Sequence, residues 1–254
     1  MQANKFLLSL AATAVVFTGC KKDEDPPADH DHGGTAATAT IELDFGFHYG
    51  AADFDLANTY TDGNGHAVQF TAIKFYMSDI HFVDDGGAAV AEFHDTYLLL
   101  DAATPEVTHT LGQVTGVHIH EAHVSLGLDS ATNHADPTLA EAPLNDPSMH
   151  WAWNPAAGYK FLLMEGRVDD DGDGVVDASD PTFTYHCATD DLLTEDVLDF
   201  HADIVAGATL SKHVEIQVDV LMTGIDALAN PMGMGAEAVN QALMQNLAAA
   251  ISTN

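Results

Sequence analysis

The chain has 254 residues, with 7 Lys+Arg against 39 Asp+Glu and a formal net charge of −32 when His is neutral. So acidic a surface excludes a nucleic-acid partner held through its phosphates and makes cations the natural partners. Fifteen His beside so few Lys read as a metal signal rather than a basic patch, because imidazole suits copper, zinc and nickel.

At the N-terminus Lys5 precedes the apolar run from Phe6 to Phe17, and Thr18-Gly19 lead into Cys20. This is the layout of a lipoprotein signal peptide over residues 1–19, and about a dozen apolar residues are too few to span a bilayer. Cys20 then becomes the lipidated mature N-terminus, anchoring the protein outside the cytoplasm to the outer membrane, on its periplasmic or cell-surface face. Cys187 is left as the one free thiol, which excludes a disulfide framework. Residues 20–37 are charged, with Pro and Gly and no large apolar group, so they form a flexible acidic and His-bearing tether. Within it Asp29-His30-Asp31-His32 offers donors for a weakly held metal, although solvation is the plainer role.

From Thr38 to Asn254 the pattern is that of a single domain. Ile41, Leu43, Phe45 and Phe47 alternate with Glu42, Asp44, Gly46 and His48, the period of a half-buried strand. Turn residues 61–65 precede strands over 68–76 and 80–83, and Asp84-Asp85-Gly86-Gly87 suits a hairpin before a strand over 89–100. Further strands are expected over 116–128, 159–168, 182–186 and 214–222. The end is helical, since Val239, Leu243, Leu247 and Ile251 recur at spacing four. Many short strands without βαβ alternation predict an all-β fold, a β-sandwich with long loops and a C-terminal helix.

Three stretches carry possible chemistry. In Val117-His118-Ile119-His120-Glu121-Ala122-His123 the strand period sends His118 and His120 to one face about 7 Å apart, close enough to share a metal, with His123 on the other side. Solvent-facing histidines are the simpler account, as for His81 and His94. Asn133 to Gly166 holds both tryptophans, Trp151 and Trp153, beside His150 and a Pro-rich loop. Asp169 to Asp180 has the register of an EF-hand calcium loop: carboxylate oxygens from Asp169, Asp171, Asp173, Asp177 and Asp180, the Val175 carbonyl, and Gly174 at the sixth position. Asp180 stands where Glu is usual, and no helices flank the loop, so a structural calcium between strands is expected.

Asn133-His134-Ala135-Asp136-Pro137, Ser148-Met149-His150-Trp151-Ala152-Trp153-Asn154, Gly158-Tyr159-Lys160-Phe161, Glu165-Gly166 and Phe183-Thr184-Tyr185-His186 together resemble the MbnP-like family, the methanobactin-associated copper-binding proteins. Phe75 to Ile80 and Leu126 to Ser130 fit the same pattern, so the resemblance covers about residues 40 to 250. It implies an extracytoplasmic β-sandwich holding one copper ion with histidines, here His48, His134, His150 and His186. Carboxylates such as Asp136 or Asp219 would orient their rings. It also implies oxidation of one tryptophan, Trp151 or Trp153, to kynurenine by a dihaem partner of the MbnH type. Cys187 departs from the family pattern and reads as a buried thiol. Met232 and Met234 read as packing under the last helix.

The leading reading is a lipid-anchored copper-binding protein for storage, scavenging or transfer, with no substrate of its own to turn over. Two alternatives stay open: a mononuclear copper or zinc enzyme with Glu121 or Glu165 as base, and a calcium-stabilised surface adhesin without a transition metal. Against the enzyme, the chain has neither an HExxH motif nor a nucleophile paired with a base.

Overall fold

The computed structural model describes residues 34–152 and 154–254. The expected signal peptide, the lipidation site Cys20, the tether histidines His30 and His32, and Trp153 lie outside the described residues. In chain order the elements are β1 (Ala37–Tyr49), β2 (Ala52–Asp53), β3 (Tyr60–Thr61), β4 (Ala67–Val83), β5 (Ala89–Asp101), β6 (Glu106–Gly116) and β7 (His118–Leu126). A helical turn α1 (Ser130–Asn133) then leads through a long loop to β8 (Lys160–Val168), β9 (Thr182–Ala188), β10 (Thr194–Asp203) and β11 (Thr209–Gln217). The chain closes with α2 (Val218–Leu221), β12 (Met232–Gly235), α3 (Ala238–Ala250) and β13 (Ile251–Thr253).

The strands form two sheets, the all-β sandwich that the alternation predicts. One runs β13-β11-β1-β2, with β6 also on β1; the other runs β10-β7-β4-β8-β9-β12, with β3 and β5 also on β4. β1 pairs in parallel with β11, from Thr40 opposite Thr209 to His48 opposite Gln217. Ile41, Leu43, Phe45 and Phe47 are buried, so the other face of β1 presents Glu42, Asp44, Gly46 and His48 outward. Across the sandwich, Phe47 meets Phe75 of β4 edge to face at 6.2 Å. Each such fully buried side chain contributes roughly 1.5–3 kcal/mol relative to exposure.

Several expected boundaries move. β4 runs unbroken over 67–83, its first half paired with β8 and its second with β7. Asp79, at φ 48°, absorbs a register shift inside it. The strand expected over 214–222 ends at Gln217 and turns into α2. β6 and β10 are strands outside the expected ranges. Helix α3 buries Leu243, Met244 and Leu247. Its buried Asn240 donates to the His186 and Gly235 carbonyls at 3.0 and 2.8 Å, which ties the helix to β9 and β12. Met232 is exposed on β12 rather than packed under the helix, and Met234 packs toward Trp151.

Candidate metal centre

The stretch that carries Trp151 is fastened at Asn133. Asp129 caps α1 by accepting from the Ala131 and Thr132 N–H groups, which delivers Asn133 into the interior, 1% exposed. The Asn133 side-chain oxygen accepts the Tyr159 N–H at 2.8 Å, and its amide donates to Asp190 at 2.7 Å. Gly158, at φ 74°, lies so close that a Cβ there would sit 2.3 Å from the Asn133 carbonyl oxygen. Only glycine fits that approach and that backbone conformation.

Three of the four nominated copper histidines surround this loop. His134 Nε2 lies 3.2 Å from Asp190, and the His150 ring meets Tyr159 at 5.6 Å between centroids. His186 Nε2 lies 2.8 Å from Glu165, with its ring edge-on to Trp151 at 6.4 Å. Trp151 is buried with Ala157 and Ala188. Burial holds the His186 pKa below its ordinary value despite the neighbouring Glu165. Asp190 and Glu165 are thus the carboxylates on these rings, while Asp136 accepts from Thr138 and Asp219 from the Gly50 N–H. The fourth, His48, is on the outer face of the other sheet beside Asp53 and Glu215. Among the described residues, the groups whose ligand atoms lie within 4.8 Å of one another do not include His134, His150 or His186. Cys187 is a buried thiol whose pKa burial pushes well up.

The histidines that do converge are His118, His120 and His201, with ligand atoms all within 4.8 Å. The strand period places the first two, and β10 supplies the third through a bulge. Its register against β7 slips between Asp199 and Ala202, so Phe200 and His201 together face His120. Phe200 takes the core, and His201 stays outside at φ 35°. The His201 ring comes 4.4 Å from His120 and 5.8 Å from His118 between centroids. Bulges re-aim side chains, and a non-glycine residue at positive φ costs on the order of 1–3 kcal/mol, so the surrounding fold holds this histidine against its backbone preference.

Carboxylates flank each ring. His118 Nδ1 is 2.9 Å from Asp203, His120 Nδ1 is 3.4 Å from Asp85, and His201 Nε2 is 2.9 Å from Asp199. An Nδ1–H of His118 donating to Asp203, and an Nε2–H of His201 donating to Asp199, would fix the orientation of these rings toward a shared metal. Bonds of about 2.0 Å at tetrahedral angles need nitrogens roughly 3.3 Å apart, so modest ring rotations close the set around one ion. Three neutral imidazoles suit copper in either oxidation state. The sequence marks His118 and His120 but gives His201 no motif, and the solvent-facing account of the pair fails for His118, which is buried.

The acidic loop over 169–180 brings ligand oxygens of Asp169, Asp171 and Asp173 within 4.8 Å of one another. Gly174 adopts φ 81° at the sixth position. The Asp173 N–H donates to Asp171 and lowers its pKa, yet the charges of Asp173, Asp169 and Asp180 hold that carboxyl above its usual range. The fourth group, Asp62, His66 and Asp226, has a structural role. Buried Asp62 accepts N–H groups from Asn64, His66 and Ala227 and locks the 61–66 turn to the loop after α2.

The family model described as MbnP matches residues 38–240. The structure of MbnP from Methylosinus trichosporium aligns with 80% of this chain and 82% of its own, at 14% identity and a TM-score of 0.48. A comparison with curated proteins gives no match.

Proposed function

Because the chain belongs to the MbnP family, we propose that it is an extracytoplasmic copper-binding protein that holds one ion through His118, His120 and His201. The observation that carries the assignment is the convergence of three imidazoles from two strands within 4.8 Å, each ring backed by a carboxylate. Such a site stores or passes on copper without turning over a substrate. The signal sequence ending at Cys20 supports a lipid anchor, with the acidic tether spacing the domain from the outer membrane.

In this reading the loop around Trp151 is the second functional element. Burial against Ala157 and Ala188, with the His186 ring edge-on, supports Trp151 as the residue converted to kynurenine by a dihaem partner of the MbnH type, which supplies the oxidant. His134, His150 and His186 then form the surroundings of the modified residue. One test covers both elements. Titration of the full chain with copper is expected to saturate at one tightly held equivalent in the folded domain. Peptide mass mapping of protein isolated with its dihaem partner is expected to place the kynurenine increment at Trp151. An increment at Trp153, or none, overturns the second part alone.

Residues 169–180 are read as a structural calcium loop, supported by the EF-hand register and by the mutual repulsion at Asp171. Calcium at a hundredfold excess over its Kd adds about 2.7 kcal/mol to the folded state. For a domain of this size that raises Tm by roughly 5 to 10 °C. Asp171→Asn is expected to abolish most of that rise. A Tm indifferent to calcium and to chelator would show the loop to be an acidic hairpin only.

A further inference from the structure

The outer face of the β1 sheet gathers a different set of ligands around one glycine. Gly46 stands opposite Glu106 of β6 on one side and Glu215 of β11 on the other. Two residues along the same face, His48 is opposite Asp53 of β2, and His213 lies two residues before Glu215 on β11. His48, His213 and Glu106 lean over the position that Gly46 leaves empty. A Cβ there would lie 2.8 Å from His48 Nε2, 2.9 Å from His213 Cε1 and 3.1 Å from Glu106 Oε1.

His48 is held between carboxylates, its Nδ1 3.6 Å from Asp53 and its Nε2 3.9 Å from Glu215. That Nε2 is buried and has no hydrogen-bond partner. Ligand atoms of His48, Asp53 and Glu106 all lie within 4.8 Å of one another. A buried, unpartnered ring nitrogen surrounded by carboxylates is an arrangement that a cation would complete.

We propose that this cluster is a second metal site, separate from the three-histidine centre and suited to a divalent ion of the zinc class. Imidazole excludes calcium as the preferred occupant, since calcium takes oxygen ligands. The carboxylates disfavour soft monovalent copper, and a mixed nitrogen and oxygen set from His and Asp/Glu matches zinc. Gly46 is part of the site, because any side chain there would occupy the space into which the donors converge.

The test is titration of the full chain with zinc chloride, in a background with His30 and His32 replaced by Ala, read by native mass spectrometry and calorimetry. With the three-histidine centre filled beforehand with one equivalent of copper, the folded domain is expected to take up one zinc. His48→Ala and Glu106→Gln should each weaken it by at least about tenfold. Gly46→Ala, which removes no donor, should weaken it as well, and His120→Ala should leave it unchanged. Glu106 is exposed, so that variant keeps the test valid if the His48 substitution disturbs the sheet. Zinc uptake unchanged by Glu106→Gln and Gly46→Ala, or lost with His120→Ala, overturns the proposal.

Discussion

His120→Ala is expected to lower copper affinity by a hundred- to a thousandfold while the domain stays folded. Structural zinc sites with four ligands are worth about 10–16 kcal/mol. One ligand then contributes on the order of 3–4 kcal/mol, and each 1.4 kcal/mol is about a tenfold change in Kd. His120 is half-exposed on β7, so its removal leaves little cavity. His201→Gly separates binding from strain. It deletes a ligand, yet it places at φ 35° the residue that tolerates that conformation, so copper affinity should fall while metal-free stability holds or rises by about 1 kcal/mol. Asp203→Asn keeps all three rings and is expected to weaken binding by only about 10- to 100-fold. Competition titration against a copper chelator, with Tm measured on the metal-free proteins, reads all three. Copper binding unaffected by His120→Ala but lost with His134→Ala or His186→Ala would move the site to the Trp151 loop.

Gly158→Ala should be the most damaging single methyl in the chain's long loop. The added carbon falls 2.3 Å from both the carbonyl and the side-chain oxygen of Asn133. Relief requires Asn133 to move away from Tyr159 and Asp190, which breaks one buried and one part-buried hydrogen bond. An alanine at φ 74° and ψ −130°, a backbone region that essentially glycine alone occupies, costs about 1–3 kcal/mol, and each buried group left unpaired about 1–3 kcal/mol. The sum, on the order of 4 kcal/mol, is a large part of a typical 5–15 kcal/mol. Thermal unfolding should show a fall of roughly 10 °C or more, with proteolytic sensitivity appearing first in the loop between α1 and β8. Copper affinity at His118, His120 and His201 should be retained, because β7 and β10 pair with each other along their length and β7 also pairs with β4. A Tm within a few degrees of the parent would mean that Asn133 does not hold this loop.

The core was legible because burial on one face leaves a period-two trace, as in Ile41, Leu43, Phe45 and Phe47. Where both faces of a strand are partly polar the trace fades, and β6, with Thr108, Thr110 and Gln113 among its residues, leaves no such alternation. β10 carries Leu198 and Phe200 two apart on its buried side, a spacing that sets His201 on the outward side. Its meeting with His120 was beyond any local reading, since it depends on which strands become neighbours and on a one-residue slip between them. The family resemblance named the stretches that hold Asn133 and Gly158, but not the contact between them. It also joined His48 to three histidines that the fold places elsewhere, because a motif lists residues without saying which sheet each will face.

The parallel pairing of β1 with β11 has a consequence for how the protein is made. The first strand of the domain lies inside its sheet, between partners drawn from the middle of the chain and from near its end, with Thr40 opposite Thr209. A polypeptide that emerges N-terminus first exposes the apolar side of β1 long before β11 exists to cover its edge. Contacts so distant in sequence make folding slow, in the range of milliseconds to seconds, and a waiting strand edge invites association with other chains. The charged outward row of Glu42 and Asp44 therefore serves the nascent molecule before it serves the finished one, by keeping an unfinished edge in solution until the last quarter of the chain arrives.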